Sequence, residues 1–142
     1  MGYSRMSLDL LVRSARRDQV ARFTLETTPG CILYDHYRNS TLKTADGVVF
    51  VAHSGENMLE ENIKHLRELV FLLKQYRRDT GLIPIVMQYN KRDLPNALDL
   101  ATMQHYLNQQ GCTVIEAVAL EHIGVIETLR TICTLVARRK AQ

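Results

Sequence analysis

Three short runs, at 47–52 (GVVFVA), 82–89 (LIPIVMQY) and 112–119 (CTVIEAVA), are rich in β-branched and other apolar residues, and helix-patterned segments follow each of them. Continuous apolar character suits a strand covered on both faces, as in a parallel sheet under helices. After the first run, Leu59, Ile63, Leu66, Val70 and Leu73 recur at helical spacing, with Glu60 and Glu61 early and Lys74, Arg77 and Arg78 late, in agreement with the helix dipole. Ser54 is the expected cap of that helix. After the second run, Asp99 is the expected cap of a helix carrying Met103 and Leu107, and Gly111 its expected stop. Val125, Ile126, Leu129, Ile132, Leu135 and Val136 stripe a last helix. This βαβαβα succession implies right-handed crossovers and an open, mostly parallel α/β sheet with helices on both faces.

The start of the chain reads differently. Apolar residues recur at every second position in Met6, Leu8, Leu10 and Val12, a second strand signal runs through 20–25, and polar residues lie between the two segments, which is the pattern of a β-hairpin. Thr28-Pro29-Gly30 ends it, and a polar loop with one helical turn is expected to about Ala45. With 142 residues there is room for one domain with a real core. Eighteen basic against 15 acidic residues is a mild excess and gives little support to nucleic-acid binding. Arg13, Arg16 and Arg17 are expected to solvate the hairpin tip, and Arg138, Arg139 and Lys140 to complement a helix C-terminus. Cys31, Cys112 and Cys133 lack C-x-x-C spacing, and His36, His53, His65, His105 and His122 lack metal-ligand spacing. No apolar stretch approaches membrane-spanning length, so no membrane segment is expected, and a cytoplasmic location follows as the expectation.

In such sheets ligands sit at the carboxyl ends of the strands, where Gly30, the segment 90–93 and the segment 116–119 all fall. Directly after the second run comes Asn90-Lys91-Arg92-Asp93, an N-K-x-D sequence. Three fixed positions match by accident about once in 10⁴ sites, so the motif outweighs the bland reading of a solvated loop. Asp93 has two carboxylate oxygens that can accept from the N1 and exocyclic N2 donors of guanine, a pair that adenine does not offer. No G-x-x-x-x-G-K-[ST] occurs in the 142 residues.

From about Leu8 to Ala137 the chain resembles the bacterial Ras-like small GTPases of the gliding-motility and polarity group (MglA type). The segments that carry the resemblance are FTLETTPG at 23–30, GVVFVAHS at 47–54, PIVMQYNKRDLPNAL at 84–98 and EAVA at 116–119, followed by Gly124-Val125 and Thr128-Leu129. It implies a Ras-like, P-loop NTPase-type fold in which Asn90, Lys91 and Asp93 bind the guanine of GTP or GDP. Val118 and Ala119 would close over the base with a backbone N–H on its O6, and Gly30 would donate its N–H to the terminal phosphate. Asn90 would brace neighbouring loops, and the Lys91 stem would lie along the base face.

The departures shape the expected function. In the family a strand, the P-loop and a helix precede the hairpin, whereas this chain starts within about ten residues of it. A single truncated small-GTPase-like domain over 1–142 is therefore expected, with weak or absent GTP/GDP binding and no Mg²⁺ held by this chain alone. The glutamine that orients the attacking water in the family is Cys31 here, and the usual Asp after Phe-Val-Ala is His53, so no catalytic residue is assigned and no autonomous hydrolysis is expected. Without the central strand, the second hairpin strand and the strand at 47–52 either pair directly or leave two open edges. Two alternatives stand beside the nucleotide-binding reading: a pseudo-GTPase module that binds a roadblock-type or polarity protein, and an N-terminally truncated fragment of a full GTPase. Tyr34, His36 and Tyr37 would fall in the second switch, where they either meet such a partner or pack.

Overall fold

The computed structural model describes residues 4–12, 19–27, 35–77 and 83–140. The hairpin is β1 (Ser4–Val12) and β2 (Gln19–Thr27), paired antiparallel with Leu8 opposite Phe23 and Asp9 opposite Arg22. Cross-strand charge follows that register: Arg22 Nε lies 2.8 Å from Asp9 Oδ1, and the guanidinium holds this carboxyl below the usual carboxylate range. The expected hairpin tip lies outside the described residues.

Where a polar loop with one turn was expected, the chain forms a ten-residue helix, α1 (Asp35–Thr44). Its sequence carries almost no apolar periodicity, so local pattern could not announce it. Tertiary contact supplies the reason: Leu42 is buried with Leu73 and Ile83, and the Lys43 ammonium sits 5.0 Å from the centroid of the Tyr76 ring.

The parallel sheet is β3 (Val48–His53), β4 (Ile85–Asn90) and β5 (Thr113–Glu116), in the order β3-β4-β5. Between and after them run α2 (Leu59–Arg77), α3 (Leu100–Leu107) and α4 (Val125–Lys140). Alternation along the strands divides the core into two layers. Phe50, Ala52, Met87 and Tyr89 face α2 and α3, where Ile63, Leu66, Met103 and Leu107 meet them. Val86 and Ile115 face the other way, onto Ile132, Cys133 and Val136 of α4. Helices thus cover both faces, as the sequence pattern implied.

The hairpin does not join this sheet. The two sheets are separate: Phe23 of β2 and Val49 of β3 both pack against the α4-side core, with no backbone pairing between their strands. Of the two outcomes expected for these strands, the structure has the open edge: among the described residues β3 is paired on its β4 side alone. Val51, on the α4 side of that edge strand, is 54% exposed.

Three local expectations change. The hydroxyl of Ser54 is fully buried and has no hydrogen-bond partner, so it caps nothing; a 3-10 turn at Glu56–Met58 leads into α2 instead. Asp99 does cap α3, its Oδ1 accepting from the Thr102 N–H at 2.7 Å, but the stop is Asn108 rather than Gly111. The Asn108 amide donates to Cys112 O and accepts from the Cys112 N–H, closing the turn in which Gly111 takes φ 72°. On α4, Ile126 points outward and Thr128 takes an interior place, where Gln88 Nε2 donates to its Oγ1 at 2.8 Å. Two buried polar side chains thereby satisfy each other.

Candidate functional site

The carboxyl ends of β3, β4 and β5 are stitched into one surface by backbone bonds. Ser54 N–H donates to Asn90 O at 3.0 Å, Leu98 N–H to Ser54 O at 2.8 Å, Ala117 N–H to Tyr89 O at 2.8 Å, and Arg92 N–H to Ala117 O at 3.2 Å. The N-K-x-D sequence therefore begins on the last residue of β4 and turns across the end of β5. Lys91 adopts φ 64°, which bends the chain sharply at that point.

Each sequence-assigned residue except Gly30 can be placed. Asn90 does brace the loops: its Oδ1 accepts from the Ala119 N–H at 2.9 Å, tying the motif to the segment after β5. Lys91 and Asp93 are exposed beside this tie, and among the described residues no hydrogen bond or ion pair engages the Asp93 carboxylate. A free, solvent-facing acceptor pair is what a base with two adjacent donors requires. Val118 and Ala119 are half-buried at the same rim. Their N–H groups are both engaged internally, that of Val118 with Ile123 O at 3.0 Å. A base oxygen reaching the Ala119 N–H would share it with Asn90 in a three-centre bond or displace that side chain. Gly30, Cys31 and Tyr34 lie outside the described residues, as do the side chains of His36 and Tyr37.

Three residues that support this surface were not singled out by the sequence for that role. Asn62 of α2 is 5% exposed, and its carboxamide accepts from His53 N–H at 3.1 Å and donates to His53 O at 2.8 Å. It closes the outer edge of β3 at its last residue as a neighbouring strand would. A polar residue within the inward stripe of Leu59, Ile63 and Leu66 was the available signal. Gly124 takes φ 79° against the backbone of Glu116 and Ala117, and a Cβ there would come within 3.0 Å of Ala117 Cα. Arg92 is the unspecified position of the motif, and nothing in the pattern marked it.

His53, at the end of β3, accepts the Gly55 N–H on Nδ1 at 3.0 Å. Burial, and secondarily the Lys91 charge, push its pKa below the ordinary histidine value. Burial likewise raises the thiols of Cys112 and Cys133, both free, so neither is an activated nucleophile. Among the described residues no group of three or more His, Cys, Asp or Glu side chains is arranged to hold a metal ion, and no helix is long and apolar enough to cross a membrane.

An open parallel sheet with helices on both faces, and an N-K-x-D turn at the end of a strand joined to the turn after the next, places the chain in the Ras-like GTPase class. No family model matches it. Over 115 residues, 81% of this chain, it is 44% identical to the mutual gliding-motility protein MglA of Myxococcus xanthus (strain DK1622), and it is an MglA-type family member over those residues. The match covers 59% of that relative, so the chain spans about three-fifths of the length of the curated protein it is similar to.

Proposed function

We propose that these residues form the guanine-recognising part of a GTP/GDP site. In this reading Asp93 accepts from N1 and N2 of the base, the Lys91 stem covers one face of the ring, and Asn90 holds the rim formed by Val118 and Ala119. The observation that carries it is the bond from Ala119 N–H to Asn90 Oδ1, which joins the two loops while the Asp93 carboxylate stays open to solvent beside them. Gly30 is proposed as the N–H donor to the terminal phosphate. With no G-x-x-x-x-G-K-[ST] within the 142 residues, base contacts carry most of the affinity, Mg²⁺ is not held by this chain alone, and the chain does not hydrolyse GTP autonomously. The relative's name supports a place in gliding motility, and a role in cell polarity and a cytoplasmic location are proposed with it.

Calorimetric titration of the 142-residue chain with GDP and with ADP, with and without Mg²⁺, tests the proposal. GDP is expected to bind in preference to ADP, and Asp93→Asn to remove that preference. Equal GDP affinity in the variant would sink the site assignment.

A second reading, a pseudo-GTPase module for a roadblock-type or polarity protein, draws support from the open edge of β3 and the exposed Val51 upon it. A folded chain that ignores GDP but is retained by such a partner would favour it. The remaining alternative, a truncated form of a full GTPase, is decided by whether the DNA upstream of Met1 encodes an in-frame G-x-x-x-x-G-K-[ST].

A further inference from the structure

Between the two exposed residues of the motif, Arg92 turns the other way. Its side chain is 18% exposed and lies under the turn, where Nε meets Glu116 Oε1 at 3.1 Å, while Nη1 donates to Leu98 O at 2.7 Å and approaches Met103 Sδ at 3.5 Å. Its own backbone N–H bonds Ala117 O at 3.2 Å. One guanidinium therefore joins the start of the 91–98 segment to its far end, to the last residue of β5 and to α3. Of the other backbone bonds of that segment, Leu94 N–H to Lys91 O at 3.2 Å and Ala97 N–H to Leu94 O at 3.1 Å set its curl, while Glu56 N–H to Asn96 O at 3.1 Å and Leu98 N–H to Ser54 O at 2.8 Å tie its far end to the turn after β3; none of these four anchors it to β5.

We infer that Arg92 is a positioning residue for base recognition: by clamping the 91–98 segment onto the end of β5 it sets where the Asp93 carboxylate and the Lys91 stem stand relative to the 117–119 rim. This rests on the guanine reading above. The planar fork explains the residue type. A guanidinium serves the Glu116 carboxylate and the Leu98 carbonyl at once, in directions fixed by its plane, whereas an ammonium on a flexible stem does not hold both. Recognition through a carboxylate is sensitive to placement, because displacement by about 1 Å breaks the paired acceptance from adjacent donors.

The test compares GDP with IDP, which keeps the N1 donor and lacks the exocyclic N2 amine, so their affinity ratio reports the Asp93 contact rather than overall folding. The parent chain is expected to prefer GDP by roughly tenfold or more, the value of one charge-assisted hydrogen bond. Arg92→Met keeps an apolar stem over Met103 and removes the fork; the ratio is expected to fall about fivefold or more, with a cooperative melt retained. Arg92→Lys should fall between the two, and Glu116→Ala, at a side chain 52% exposed, should lower the ratio about two- to threefold with the fold undisturbed. An unchanged ratio in Arg92→Met overturns the inference and leaves the guanine reading in place. Should that variant not melt cooperatively, an unchanged ratio in Glu116→Ala overturns it. A parent chain that does not distinguish GDP from ADP overturns the guanine reading, and the role of Arg92 with it.

Discussion

His53 ends β3 with its imidazole serving as an acceptor, and that role depends on the neutral ring. Protonation places a hydrogen on Nδ1, breaks the bond from Gly55 N–H and sets a second positive charge near Lys91. The sign of the pH effect follows. The folded-state pKa lies below that of the unfolded chain, about 6.5, so the neutral ring's contribution is complete above that value and is lost as pH falls through the folded pKa. The melting temperature is therefore expected to drop between about pH 7 and pH 5, and the drop to shrink in His53→Asn, whose amide oxygen can take the Gly55 N–H. Parallel pH profiles for parent and variant, read by circular dichroism, would remove His53 from the account. Asp93 belongs to the same scale for the opposite reason: its carboxylate is exposed and free, so Asp93→Asn should leave the melt within about 0.5 kcal/mol of the parent while changing base preference.

At the scale of elements, the joint between β3 and α2 depends on Asn62. Its carboxamide answers both backbone groups of His53, and the following backbone bonds from Ser54 to Asn90 and from Leu98 to Ser54 carry that order into the motif loop. Asn62→Leu fits the space of a buried side chain but leaves the part-buried N–H and C=O of His53 without that partner, at about 1 to 2 kcal/mol each. A loss of roughly 2 to 4 kcal/mol in urea unfolding is expected, and Asn62→Asp, which keeps the acceptor but sets a buried carboxylate oxygen against His53 O, should cost no less. A loss below about 0.5 kcal/mol in Asn62→Leu would mean that the edge of β3 does not depend on this residue. The α2, α3 and α4 patterns were legible because each buries one stripe against a sheet face. The α1 helix was not, since its burial rests on Leu42 meeting Leu73 and Ile83, residues far along the chain.

For the whole molecule, the two separate sheets are bridged by the α4-side core, with Phe23 and Val49 on either side of the division. The outer edge of β3 is closed by Asn62 at His53 and carries an exposed valine two residues earlier. Unprotected edges invite pairing with other chains, and inward or flanking charge is a usual defence. The 142-residue chain is expected to self-associate as concentration rises, and Val51→Lys to shift the onset of association upward at unchanged melting temperature. Sedimentation of both at matched concentrations checks this; identical association would place the contact elsewhere.

The βαβαβα order from β3 to α4, the two-sided cover of the sheet and the position of Asn90, Lys91 and Asp93 at the end of a strand were determined by the sequence alone, because hydrophobic period and motif spacing are local along the chain. Resemblance supplied their proposed chemistry. Only the tertiary structure decided that β2 and β3 stay apart, that Asn108 and not Gly111 ends α3, that Ser54 caps nothing, that Arg92 braces the motif loop from beneath, and that Asn62 closes β3 at His53. Each of those outcomes depends on a hydrogen-bond partner or a packing neighbour brought close by folding. A polar residue's role is set by what finally stands within about 3 Å of it, and no pattern in the order of residues encodes that distance.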